Sequence, residues 1–254
     1  MSKFLVTGGK KLSGEIKLSG NKNSALKLIP ATLLADSPTT LTNVPAISDI
    51  KVMVELIRNL GAKVEYKDHT LRVDPTTLSS STPDPDLCSK IRASVVLAAP
   101  LLVRFGKTVV TPPGGDQIGD RFLDTHFSMM QKMGVEMERK NGQFFLSWKK
   151  KLDGNIFLDE ASVTATEMAL MMGTAIKEGV TLENAATEPH VTDLGTMLNK
   201  MGANIKGLGT GTISIKGGSL RGVEYKVMPD PIEGGTFVIA SAITGGHIKI
   251  TDFI

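Results

Sequence analysis

The 254-residue sequence holds one cysteine, one tryptophan and two tyrosines, and its aromatic content is 5%. With Cys88 alone, no intrachain disulfide can form and no zinc site of paired cysteines can be built. The four histidines, at 69, 126, 190 and 247, are scattered without ligand spacing, so no metal is expected. Few aromatics also means few stacking platforms for single-stranded nucleic acid. Net charge is only +3, which suits small anionic ligands and falls short of a nucleic-acid footprint. No apolar run approaches the roughly 18 residues that would span a bilayer, and the opening MSKFLVTGGKKLSG lacks the apolar stretch of a secretion signal. The default expectation is a cytoplasmic protein with no nucleic-acid or membrane partner.

What is present is ordinary globular composition, 41% hydrophobic and 22% charged, enough for one large domain or two smaller ones. Within it a unit recurs. An apolar helix, NSALKLIPATLLA, is followed by the strand-like TTLTNVP, a second helix, SDIKVMVELIRNLGAKVEY, and a strand, TLRVDP. The pattern starts again at SKIRASVVLAAPLLVRFGKTVVT and once more at ASVTATEMALMMGTAIKEGVTLENAAT. The first helix of each copy is read as ending at Ser37, Gly106 and Gly179, the second as closing on glycine caps at Gly61, Gly134 and Gly202. Both markers recur at about 70 residues, the signature of a repeated supersecondary unit. The second helices carry one apolar stripe each (Leu60, Ile57 and Leu56; Met133, Met130 and Met129; Met201, Leu198 and Met197), which is core spacing. Their methionines read as core filler. The first helices are apolar nearly all round and are expected inside, with strands outside them. A fourth copy begins at PIEGGTFVIASAITGGHIKITDFI without its second helix. Such a unit cannot bury its apolar face alone, so the chain reads as a fragment or as needing another segment to complete it.

Two glycine-rich stretches invite nucleotide readings. GLGTGT, residues 207–212, lies between strand-like segments and opens no helix, so it reads as a hairpin turn rather than a dinucleotide fingerprint. PPGGDQIGDRFLDTH, residues 112–126, has no Gly-Lys-Ser/Thr after its glycines and is not a phosphate loop of the nucleotide-hydrolase kind.

The motifs LSGNKNSALKLIPATLLA, RASVVLAAPLLVRFG, PPGGDQIGDR, DEASVTATE, ENAATEPHVTDL and PDPIEGGTF together resemble the enolpyruvyl transferases along the whole chain. The resemblance is to their UDP-N-acetylglucosamine branch, because Asn21-Lys22-Asn23 stands where the shikimate branch carries Ser-Lys-Ser. It implies an α/β (α+β) fold, an inside-out α/β barrel lobe of three βαβαββ repeats with inner helices. It further implies that residues 22–229 form a complete N-terminal lobe, with repeats at about 22–88, 89–155 and 156–229. Residues 1–21 and 230–254 would be pieces of a C-terminal lobe whose remainder lies outside the sequence. The implied reaction moves enolpyruvyl from phosphoenolpyruvate to the 3-hydroxyl of UDP-N-acetylglucosamine with release of phosphate, the first committed step of peptidoglycan synthesis. No cofactor is implied. The chain alone is expected to turn over negligibly, with self-association through its incomplete second lobe. A non-catalytic sugar-nucleotide-binding lobe is the alternative, and a relation to RNA 3′-phosphate cyclases is disfavoured by weak charge and few aromatics.

Such chemistry needs cationic donors for phosphate and carboxylate, and an acid and a base for the two proton transfers. Lys22 stands between asparagines at a helix start, where ammonium and helix dipole act on one anion. Arg92 and Arg121 also head helices with a fork suited to carboxylate or phosphate. By spacing alone all three read as solvated surface cations. The resemblance makes Lys22 a phosphoenolpyruvate ligand, Asn23 a ligand of the sugar nucleotide or intermediate, and Arg92 and Arg121 anion ligands. It makes the PGGDQIGDR loop, residues 113–121, a mobile lid, with Asp116 where the family usually has cysteine. Asp116 is thus expected to act as a general acid and to confer insensitivity to fosfomycin, which alkylates that cysteine. Phe122, Leu123 and Asp124, with Ser162 and Val163, correspond to the uridine-binding segments, although Phe122-Leu123 replaces the usual Pro-Val. Glu188 matches a carboxylate near the cleft, His126 reads as structural, and Thr164 stands where glycine is common.

Overall fold

The computed structural model describes residues 3–115 and 122–253. After β1 (Ser13–Lys17), the first repeat runs α1 (Lys22–Ala31), β2 (Thr39–Thr42), α2 (Ser48–Asn59), β3 (Lys63–Lys67) and β4 (Thr70–Asp74). A short connecting helix, α3 (Pro85–Cys88), leads to the second: α4 (Ala98–Phe105), β5 (Lys107–Val110), α5 (Asp124–Lys132), β6 (Glu136–Lys140) and β7 (Gln143–Ser147). The third adds a leading strand, β8 (Gly154–Phe157), before α6 (Val163–Gly173), β9 (Val180–Glu183), α7 (Pro189–Met201), β10 (Asn204–Lys206) and β11 (Thr212–Lys216). The chain then passes through β12 (Glu224–Lys226), α8 (Pro231–Thr244) and β13 (His247–Thr251).

Helices α1, α4 and α6 lie at the centre, as their all-round apolarity predicts. Every residue of α1 from Ser24 to Ala31, and of α6 from Ala165 to Gly173, is buried. Around them pack α2, α5 and α7, which turn inward the stripes read from the sequence; Ile57, Met130 and Leu198 are all buried. Nine methionines, among them Met129, Met130, Met133, Met197 and Met201, belong to this core, where an unbranched thioether fills irregular gaps. Three sheets, of order β12-β2-β4-β3, β5-β7-β6 and β10-β11-β9-β8, cover the helices from outside. This is the inside-out α/β arrangement expected.

Each second helix ends the same way. The amide of the residue after the glycine returns to a carbonyl five residues earlier: Ala62 to Ile57, Val135 to Met130, Ala203 to Leu198, at 3.0–3.1 Å. Gly134 shows why glycine is needed, with φ of 93° and a backbone so close that a Cβ would lie 2.1 Å from the Lys150 carbonyl oxygen. The first helices close less uniformly. Gly106 caps α4 in the left-handed region, but α1 and α6 stop well before Ser37 and Gly179, each through a threonine (Thr32, Thr174) whose hydroxyl bonds back to the preceding turn.

The sheets also depart from a simple tandem. β8 runs parallel to β9 within the third repeat, whereas the first repeat's equivalent is β12, parallel to β2 and contributed from the far end of the lobe. Among the described residues, β5 has no parallel neighbour. The fourth, partial unit repeats the scheme, with β1 parallel to β13 in a separate two-stranded sheet. The chain therefore crosses between the three-repeat body and this small sheet twice. The crossings lie side by side: Asn21 N–H donates to Met228 O at 2.8 Å and Asp230 N–H to Ser19 O at 2.9 Å.

Candidate functional site

The N-terminus of α1 opens beside the first crossing. Asn21 caps it, its side-chain oxygen accepting from Ser24 N–H at 2.7 Å, which leaves the dipole's positive end directed past Lys22 and Asn23. That end is anchored from behind. Ser24 Oγ donates to one carboxylate oxygen of Asp193 on α7, and Tyr225 on β12 donates to the other at 2.6 Å. The amide of Met228, in the second crossing, also reaches Asp193, at 3.3 Å. Burial, together with the Asp193 carboxylate, pushes the Tyr225 phenol well above its ordinary pKa, so it stays a donor.

In front of α1 is a cavity of about 500 Å³ lined by Lys22, Asn23, Lys27, Lys90 and Arg92, with Asp49 the one acid among the described residues. Lys22 Nζ lies 3.8 Å from Asp49, a half-exposed pair that an incoming anion can displace. Arg92 begins the 3₁₀ turn Arg92–Leu97 that leads into α4. Gly114 and Gly115 pass against its approach so closely that a Cβ on Gly114 would lie 1.5 Å from the Ser89 carbonyl oxygen. In the described part of the loop, glycine therefore serves close packing rather than freedom of movement.

A second cavity, about 470 Å³, adjoins the first through Arg92 and Thr164. Phe122, Asp124, His126, Glu160 and Ser162 complete it, so that the heads of α5 and α6 face one another across it. Ser162 caps α6, accepting from Ala165 N–H at 3.4 Å, and Phe122 is exposed with its carbonyl accepting from Arg92 at 3.4 Å. His126 is buried with Nε2 2.5 Å from Thr164 Oγ1. Desolvation, helped by the Arg92 charge, lowers its pKa to about 4, so it is neutral at physiological pH. A larger hollow, about 630 Å³, lies on the second sheet among Lys107, Glu136, Glu138 and Phe145, where charges of both signs mix.

Of the residues singled out in the sequence, Lys22, Asn23 and Arg92 share the first cavity, and Arg92, Phe122, Asp124 and Ser162 the second. Leu123 and Val163 flank them as helix-start residues outside the lining, Leu123 packing on the core. Glu188 heads α7 outside both linings, with Oε2 buried and lacking a hydrogen-bond partner. Asp116 and Arg121 lie outside the described residues. Sequence reasoning missed Lys27 as a lining residue, and it treated His126 and Thr164 as incidental to the site. For Lys27 a signal existed, a charge in the middle of the apolar run Ala25–Ala31.

The family model described as EPSP synthase (3-phosphoshikimate 1-carboxyvinyltransferase) matches residues 6–254. Among curated proteins, UDP-N-acetylglucosamine 1-carboxyvinyltransferase 3 of Caldanaerobacter subterraneus subsp. tengcongensis is 44% identical over 256 residues, covering 100% of this chain and 61% of that protein. The UDP-N-acetylglucosamine 1-carboxyvinyltransferase of Acinetobacter baylyi is 44% identical over 253 residues, covering 99% of the chain and 60% of the relative. The chain thus spans about three-fifths of the length of these relatives. Among solved structures, the enolpyruvyl transferase NikO from Streptomyces tendae superposes with a TM-score of 0.80 at 27% identity, over 91% of this chain and 55% of that one. An EPSP synthase from Acinetobacter baumannii, at 20% identity and a TM-score of 0.74 over 95% and 56%, shares the fold.

Proposed function

The chain belongs to the EPSP synthase family, and on that footing we propose that it carries the N-terminal half of a site for enolpyruvyl transfer. The acceptor is the 3-hydroxyl of UDP-N-acetylglucosamine, the donor is phosphoenolpyruvate, and phosphate leaves. The sugar-nucleotide branch is favoured over the shikimate branch because the relatives of that name are 44% identical, against 20% for the EPSP synthase structure. In this reading residues 22–229 are one lobe, residues 1–21 and 230–254 belong to a second, and the protein works in the cytoplasm. No helix among the described residues is long and apolar enough to cross a membrane.

The observation that carries the proposal is the first cavity, where, among the described residues, a helix N-terminus and four cationic side chains converge with one acid. Lys22 and Arg92, with Arg121, would hold the phosphate and carboxylate of phosphoenolpyruvate, neutralising the charge that grows as the tetrahedral adduct forms. Asn23 would orient the acceptor sugar. Uridine would occupy the adjoining cavity, with Asp124 accepting from the base and the Ser162–Val163 helix start facing the diphosphate, while Phe122 and Leu123 contribute backbone and apolar contact. Asp116 would deliver the proton to the methylene carbon. Glu188, at the start of α7, would act on the cleft through its interactions with Glu167 and His190.

Calorimetric titration with UDP-N-acetylglucosamine, beside an assay for phosphate release with phosphoenolpyruvate present, tests this directly. Binding of the sugar nucleotide without turnover is expected. Absence of binding at millimolar concentration would defeat the proposal. Phosphate release that needs both substrates and vanishes in Asp116→Ala would show that this chain already holds a complete site.

A further inference from the structure

Of the charged residues in the inner helices, Lys27 in α1 and Glu167 in α6 are buried, and they meet inside the lobe. Lys27 Nζ lies 3.4 Å from Glu167 Oε2, with side chains 7% and 0% exposed. The pair is poorly satisfied for so buried a place: apart from Lys27 itself, no group donates a hydrogen bond to either oxygen of Glu167, and Glu188 Oε2 is also buried without a partner. A buried ion pair is seldom favoured over well-packed apolar residues, least of all one with orphaned acceptors. Stability alone therefore gives little reason for it. Lys27 has a second aspect, because it also lines the cavity that holds Lys22, Asn23 and Arg92. It lies in the second turn of α1 with its side chain buried, at the floor of that cavity, while Lys22, half exposed, stands at the rim.

We propose that Lys27 is an anion ligand at the cavity floor, with Glu167 as the counter-charge that positions it when the cavity is empty. The anion is one bearing phosphate, and its identity as phosphoenolpyruvate rests on the function proposed above. The surroundings support a cation with charge to spare. Burial pushes the Glu167 carboxyl up and Glu188 adds to the rise, while Lys27 opposes it. His190, at the head of α7, is held neutral by burial and by Lys27, against Glu188 and Asp230, with a pKa of about 4. It brings no second positive charge to the cluster. An anion arriving at the floor thus finds an ammonium already desolvated and restrained, where a charge-assisted contact is stronger than at the surface.

The experiment is titration of the 254-residue chain with inorganic phosphate and with phosphoenolpyruvate, and separately with UDP-N-acetylglucosamine, for the parent, Lys27→Met, Lys27→Arg, Glu167→Gln and the Lys27→Met/Glu167→Leu double variant. Lys27→Met should weaken phosphate and phosphoenolpyruvate binding by about tenfold, Lys27→Arg should recover most of it, and Glu167→Gln should bind at least as tightly as the parent. The double variant removes both charges together, so it keeps the test valid if Lys27→Met alone fails to fold. Should the double variant bind phosphate as tightly as the parent, or the parent bind neither anion, the inference is overturned. Sugar-nucleotide binding with no effect of Lys27 on the anions would sink this inference and leave the proposed function standing. The reverse pattern would sink the function and leave the anion site.

Discussion

Asn43 and Asn184 occupy one position in two different repeats, and they make the same unusual bond. Both lie in the left-handed region, at φ of 58° and 57°. Each side-chain amide donates to the carbonyl just past the neighbouring parallel strand, Asn43 to Val227 at 3.0 Å and Asn184 to Leu158 at 2.9 Å. Asparagine suits the place because it tolerates positive φ and its short amide closes the turn locally. Asn184→Ala should lose about 1 kcal/mol for the hydrogen bond and a similar amount for backbone strain. Asn184→Gly should recover the second part only. Urea unfolding of the two variants checks this, and equal midpoints for alanine and glycine would refute the strain component.

His126 predicts a pH dependence of stability. Its folded pKa of about 4 lies below the unfolded value of about 6.5. The unfolded chain therefore binds more protons between those values, and the His126 contribution, present in full above pH ~6.5, is lost as pH falls toward 4. The loss amounts to at most about 3.5 kcal/mol, since one pKa unit is about 1.4 kcal/mol. His126→Gln should flatten the fall in urea midpoint between pH 7 and 4.5 relative to the parent. Parallel curves for the two proteins would contradict the assignment.

Asp116 stands where the family resemblance places a cysteine, and a carboxylate is a poor nucleophile toward an epoxide. Incubation with fosfomycin should leave the mass of the protein unchanged. Asp116→Cys should gain a covalent adduct, detectable by intact-mass spectrometry. An adduct on the parent chain at residue 116 would overturn the expectation.

Helix α8 is apolar like the inner helices, yet Ile232, Ile239 and Ile243 are 68%, 62% and 79% exposed. A contiguous apolar face of this kind favours association. The chain is expected to sediment as concentration-dependent oligomers, and Ile239→Glu with Ile243→Glu to shift it to monomer. A parent that stays monomeric over a hundredfold concentration range would reject this.

Much of the architecture is present in the residue pattern. The apolar helices that belong inside, the stripes of α2, α5 and α7 and their terminating glycines follow from helical periodicity and from backbone geometry that glycine adopts without strain, and both are local properties. The cationic character of Lys22 and Arg92 at helix starts was also legible, because a helix terminus announces itself within a few residues. Tertiary structure alone decided what depends on segments distant in the chain. It placed β12 beside β2, since strand pairing leaves no mark on either strand about its partner. It brought Asp193, Ser24 and Tyr225 together behind the α1 terminus. It set Lys27 against Glu167 and His126 against Thr164, contacts between helices some 40 to 140 residues apart in the chain. Periodicity says which face of a helix is buried, but the partner across that face is chosen by packing.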